Sequence, residues 1–295
     1  MNPGTFIQLV IDGLSTGSIY AALALAIVLV NQATGLINFA QGGMAVLSAY
    51  IAWALNGFGV PLVLAILAAI VISFFMGALI ERYLIRRFER GDPDTAVVVT
   101  IGLLTFITGL CAWIWTYNNR LFPSLFPLET IRIGGAVISV RSLGTIIVIV
   151  VIMLLLQALF LGTKLGLALR AVAINPGSAA FSGINVGRNL MVGWGLAAVL
   201  GAVAGVLVAP QLTLTPGMMD GALVYALAAC ILGGLSSPIG VVVAAWLIGV
   251  LENLAAVYVP FIGHDLKIAV PFILIFVVLI VRPQGLFGRK AVVRV

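Results

Sequence analysis

From Ser142 to Leu161 the chain carries no ionisable side chain, and comparable apolar runs recur near 5–30, 60–80, 95–115, 190–209, 221–246, 241–259 and 267–281. A helix of about 20 apolar residues crosses the roughly 30 Å hydrocarbon core of a bilayer. Only structures that satisfy their own backbone polar groups survive there, and helices do so within one segment. The chain is 63% hydrophobic and 8% charged, whereas soluble domains hold roughly 45–50% apolar and about 25% charged residues. The expectation is an all-α polytopic membrane protein, a single transmembrane domain over 1–295. Its length accommodates about eight or nine crossings, broken or re-entrant segments included, and leaves no room for a soluble catalytic domain.

A net charge of +6 in such a chain is a topology signal rather than a nucleic-acid footprint. Alternating the loops puts Arg82, Arg86, Arg87, Arg90, Lys164, Arg170, Arg188, Arg282, Arg289, Lys290 and Arg294 on one side, and Arg120, Arg132, Arg141 and Lys267 on the other. The richer side reads as cytoplasmic, with the C-terminus inside if the number of crossings is odd. The first apolar segment lacks the charged start and small-residue cleavage site of a removable signal, so it is expected to stay. The charged run Glu81–Asp94 reads as a solvated loop near lipid head groups. Trp113, Trp115 and Tyr117 suit the opposite interface. Alternation around Gly134–Gly135 reads as a small hairpin.

Several chemistries are excluded. Cys111 and Cys230 fall inside apolar segments and His264 is the single histidine, so no disulfide, metal centre or resident cofactor is expected. There is no G-x-x-x-x-G-K-[S/T] loop to cradle phosphates and no nucleophile and base constellation. The 33 glycines point to helices packed closely through small residues, Gly201 and Gly205 among them.

Function is sought where the hydrophobicity breaks. Asn31 to Tyr50 is interrupted by Asn31, Gln32, Gly35, Asn38, Gln41, Gly42 and Gly43, and Gly221 to Trp246 by Gly233 to Gly240. A broken segment at a substrate path and a tight turn between crossings are both open for the first. Gly17–Ala21 is echoed by Gly221–Ala226, and paired broken helices are the best sequence pointer to a midplane site. Ser18, Tyr20, Asn38, Gln41 and Tyr225, uncharged polar side chains on or beside these segments, are the candidate path residues. An ion-coupled secondary transporter would need a buried ionisable relay; Asp12 and Glu252 are the candidates, and both lie in the outer parts of their segments. The third break, Leu161–Arg188, carries Lys164, Arg170 and Arg188 and reads as two short helices joined at Asn175–Pro176–Gly177.

Four stretches carry a resemblance: Asn38–Phe39–Ala40–Gln41–Gly42; Arg170 and Ala171 with Asn175–Pro176, Ala179 and Gly183–Ile184–Asn185; Gly233–Gly234–Leu235–Ser236–Ser237–Pro238–Ile239–Gly240; and Arg282–Pro283–Gln284–Gly285–Leu286–Phe287–Gly288. In this order they resemble ABC-transporter permeases of the branched-chain amino acid type. Gly177 and Gly43 stand where that family often carries acidic residues, and Pro238–Ile239 inverts its usual order. The resemblance implies a permease subunit in a prokaryotic inner membrane, importing leucine, isoleucine or valine. It implies two ATPase partner subunits that bind ATP and Mg, a second permease subunit, related or identical, and an extracytoplasmic substrate-binding protein. It further implies a cytoplasmic coupling region over 162–188 in which Arg170, Asn175, Pro176, Ala179 and Gly183 face the ATPase. Permeases for urea, short amides or other small solutes share the pattern.

Overall fold

The computed structural model describes residues 3–88, 93–127, 129–133, 136–259, 269–282 and 285–287. Among these the chain forms helices α1 (Pro3–Thr34), α2 (Gln41–Gly57), α3 (Leu62–Tyr83) and α4 (Pro93–Trp115), then strands β1 (Thr130–Ile133) and β2 (Ala136–Ser139). Helices α5 (Val140–Gly162), α6 (Lys164–Ile174), α7 (Pro176–Phe181), α8 (Val186–Leu212), α9 (Asp220–Gly233), α10 (Pro238–Tyr258) and α11 (Ala269–Val281) follow. The strands pair antiparallel with Thr130 opposite Ser139 and Ile133 opposite Ala136. Their turn, Gly134–Gly135, lies outside the described residues, as do His264, Lys267 and most of the basic C-terminal tail.

Six described helices, α1, α3, α4, α5, α8 and α10, are long and apolar enough to cross a membrane, and α9 and α11 are shorter apolar helices. They differ in what surrounds them. The most apolar windows of α1 and α8 are 89% and 72% buried, whereas those of α4 and α5 are each 22% buried. Leucine, isoleucine and phenylalanine left outside, such as Phe106, Ile147 and Leu155, are what a lipid solvent permits and water does not.

The chain forms two compact units, each built from separate stretches. Unit 1 takes residues up to Ala24, then Phe126–Leu154 and Val224 onward; unit 2 takes Leu25–Leu125 and Leu155–Leu223. In unit 1, α1 packs against α10 through glycine: a Cβ on Gly13 would sit 2.6 Å from the Val250 Cα, and one on Gly17 would sit 2.6 Å from the Ala245 carbonyl. This register runs antiparallel. In unit 2, α3 and α2 both pack on α8. A Cβ on Gly201 would meet the Gln41 amide at 2.5 Å, and one on Gly205 would strike the Ala45 carbonyl. The expected Gly201–Gly205 packing face is therefore present.

The breaks are shorter than the sequence implied. Helix α1 continues through Asn31 and Gln32 to Thr34 and stops where Gly35 turns left-handed at φ 76°. Gly42 and Gly43 lie inside α2. What remains non-helical is Gly35–Ala40, six residues between helices. Likewise α8 incorporates Pro210 and ends two residues later, at Leu212. The second expected break is present: α9 stops at Gly233, Gly234 takes φ 89°, and Pro238 opens α10.

Candidate functional site

The first site belongs to unit 1. Tyr20 on α1, Tyr225 on α9 and Glu252 on α10 are 8%, 8% and 3% exposed. The two phenol rings stack with centroids 4.5 Å apart and planes 4° from parallel. Their hydroxyls donate to opposite oxygens of one carboxylate, Tyr20 to Oε2 at 3.1 Å and Tyr225 to Oε1 at 3.2 Å. Helix geometry explains the reach. Helical side chains lean toward their own N-terminus, so on antiparallel α1 and α10 the Tyr20 and Glu252 side chains converge across their offset. Close by on α1, Ser18 donates to the Leu14 carbonyl and accepts from the Trp246 indole at 2.8 Å. Sequence reading named Ser18, Tyr20 and Tyr225 for their polarity beside breaks. It placed Glu252 only among candidates for ion coupling and missed that Glu252 joins the two tyrosines. Its signal was a lone carboxylate in LIGVLENLAAVYV.

The second site belongs to unit 2 and holds the Gly35–Ala40 break. Asn38 and Gln41 are wholly buried. Asn38 Oδ1 accepts from the Ala40 amide at 3.0 Å, its Nδ2 donates to Gln41 Oε1 at 3.1 Å, and Gln41 Nε2 donates to the Ala197 carbonyl at 2.8 Å. The chain of amides thus terminates on α8. A buried break must satisfy its polar groups within the protein, and these two side chains do so here.

The third site, also in unit 2, is the elbow of α6 and α7. Thr163 caps α6, accepting from the Gly166 amide at 3.0 Å, and Asn175 caps α7, accepting from Ser178 at 2.9 Å. Asn175 also ends α6, its backbone extended at φ −155° and ψ 97° as a following proline demands. Gly183 at φ 80° closes α7: its amide donates to Ala180, and that of Ile184 reaches back to Ala179, the paired bonds of a left-handed helix terminus. Val172, Ala179 and Leu190 form a small buried cluster. Ala179 therefore points inward. Asn175, Pro176 and Gly183 are exposed, and Arg170 is half-buried with Nε donating to Gly166. The most exposed large apolar side chains of the elbow are Ile174 at 85% and Phe181 at 96%, followed by Leu167 on α6 at 62%. Helix α7 is six residues long, too short for periodicity along the sequence to choose which of Ala179 and Phe181 turns inward.

A latch holds the elbow's exit. Glu81, expected in a solvated loop, is wholly buried and paired bidentately with Arg86, at 2.8 Å from Nε and 2.5 Å from Nη2. Arg86 Nη2 also donates to the Gly187 carbonyl at 2.7 Å. The turn Ile85–Arg87 folds the charge back onto α3 and α8, which removes Glu81 from water and supplies its counter-charge. Among the described residues no cluster of three or more metal-ligating side chains occurs.

Residues 9–279 match the family described as the branched-chain amino acid transport system permease component. The chain is 30% identical over 304 residues to the high-affinity branched-chain amino acid transport system permease protein BraD of Pseudomonas aeruginosa, covering 98% of each. It is 30% identical over 307 residues to the LivH permease protein of Escherichia coli K12, again covering 98% of each. Among solved structures it resembles a chain of PsaBC from Streptococcus pneumoniae, determined in complex with a Fab. The TM-score is 0.52 at 16% identity over 95% of this chain and 92% of that one, a likeness of fold.

Proposed function

The chain belongs to the permease-component family of branched-chain amino acid transport systems, and from that premise we propose that it carries leucine, isoleucine or valine inward as the membrane subunit of an ABC importer. Relatives of this function aligned over nearly the whole chain are the observation that carries the reading. The chain is a multi-pass membrane protein rather than an enzyme. ATP and Mg bind to two partner ATPase subunits, a second permease subunit completes the membrane part, and an extracytoplasmic binding protein delivers the cargo. Arginine-rich ends at Arg82–Arg87 and Lys164–Arg188 favour a cytoplasmic elbow in a prokaryotic inner membrane with the C-terminus inside. Six long apolar helices and the two shorter ones, with α2 as a ninth, make the odd number of crossings that leaves the C-terminus inside.

In this reading the elbow docks on the ATPase. Exposed Ile174 and Phe181 are the anchors, for large apolar side chains dominate binding when a partner pocket covers them. Arg170, Asn175, Pro176, Ala179 and Gly183 act as the frame that aims them. Ser18, Tyr20 and Tyr225 with Glu252 belong to the cargo path, where a carboxylate offers the zwitterion's ammonium a partner. Asn38 and Gln41 serve the path by holding the Gly35–Ala40 break in shape.

The test is to purify the tagged protein from native membranes in mild detergent and measure ATP hydrolysis with candidate binding proteins. Co-purified ATPase subunits stimulated by a binding protein with leucine meet the expectation. Stimulation by urea or a short amide instead replaces the cargo, and a chain that comes alone and never supports hydrolysis rejects the importer.

A further inference from the structure

The charged ends of α3 and α8 enclose a cleft of about 460 Å³. Arg82, Arg86 and Arg188 line one part of it, and Phe74, Phe75 and Met191 the other. The helix register grades the two along one axis: Gly187 lies against Arg86 and Gly195 against Phe74, so the cleft passes from guanidinium to hydrocarbon over about two to three helical turns. Arg86 is neutralised by Glu81. The cleft's positive charge therefore comes from Arg82 and Arg188, both exposed. Below Arg82, α3 presents an outward apolar stripe of Leu67, Val71, Phe75 and Leu79, between 49% and 59% exposed. A cation pair above a lipid-facing stripe is complementary to an amphiphile with an anionic head. It is not complementary to an acidic protein loop, which offers nothing for Phe75 and Met191, nor to a zwitterionic lipid, which wastes the charge.

We propose that this cleft binds an anionic phospholipid, Arg82 and Arg188 holding the phosphate and an acyl chain lying along Phe75 and Met191. The inference rests on the multi-pass membrane character of the chain and not on its cargo or its ATPase partners. Because the latch of Arg86 joins the cleft to Gly187, a bound head group would brace the exit of the elbow.

The experiment reconstitutes the full chain in phosphatidylcholine nanodiscs containing a trace of photoactivatable phosphatidylglycerol and maps the labelled peptides by mass spectrometry. Labelling around Phe75 and Met191 should fall roughly thirtyfold in the R82Q/R188Q double variant, two cations near the head group being lost. Labelling of the exposed α5 face around Ile147 and Leu154 should stay unchanged, which also reports that the variant has folded. The wild type gives a variant-free check: a phosphatidylcholine probe should label the cleft far more weakly than the anionic probe. Equal labelling by both probes, or labelling indifferent to the arginines, overturns the site. Loss of labelling on adding inorganic phosphate at constant ionic strength overturns the lipid as occupant and assigns the arginines to free phosphate.

Discussion

Tyr20 donates to Glu252 at 3.1 Å although 232 positions separate them. The bond closes unit 1 by tying its first helix to α10, and the Tyr225 stack adds α9. Burying a carboxylate in a membrane bundle is costly, so such a group is a functional hypothesis by default. Glu252→Ala should abolish leucine uptake and lower the melting temperature of the purified chain, since two buried hydroxyls lose their acceptor at about 1–3 kcal/mol each. Glu252→Gln preserves shape and one acceptor oxygen. It should leave melting near that of the wild type while uptake still falls, if the carboxylate meets the cargo's ammonium. Full uptake by Glu252→Gln would confine Glu252 to packing.

The elbow separates docking from folding. Ala179→Leu overfills the cluster with Val172 and Leu190 and should destabilise by about 1–3 kcal/mol, and Gly183→Val should cost about 1–2 kcal/mol because a branched residue is forced left-handed. Phe181→Ala removes a side chain that touches solvent, so melting should not move. ATP hydrolysis in the assembled importer should nonetheless lose its stimulation by binding protein. Unchanged stimulation in Phe181→Ala would remove Phe181 from the interface.

Glu81 and Arg86 make a double-mutant cycle. Arg86→Ala leaves a wholly buried carboxylate without its partner and should cost about 3–5 kcal/mol. Adding Glu81→Ala should restore part of that stability, because the orphaned charge goes too. Thermal melting of the two single variants and the double variant reads the coupling; strictly additive losses would show that the latch contributes nothing as a pair.

The amide relay at the break gives a further outcome. Gln41→Leu leaves the Ala197 carbonyl and Asn38 Nδ2 without the partners they have now, and melting should drop by about 1–3 kcal/mol. Gln41→Glu retains an acceptor for Asn38 but sets a charge against a carbonyl, so it should be worse than Gln41→Leu. If both variants melt and transport like the wild type, the relay does not shape the path.

Much of the architecture was determined by residue order alone. Lipid as solvent forces each long apolar run into a helix, so α3, α4, α5 and α10 lie within a few residues of where apolar runs begin and end. Local chemistry set the punctuation too: Thr163 and Asn175 as caps, Pro176 as the reason for the corner, Gly183 as the stop. These need only neighbours in the chain. The tertiary structure decided what depends on which faces meet. It took Glu81 out of water, set Glu252 to accept from two stacked tyrosines far apart in sequence, turned Ala179 inward and left Phe181 outside, and spent Asn38 and Gln41 on α8. A buried charge or amide is stable only against a specific partner, and that partner is supplied by packing, which periodicity along one helix does not encode.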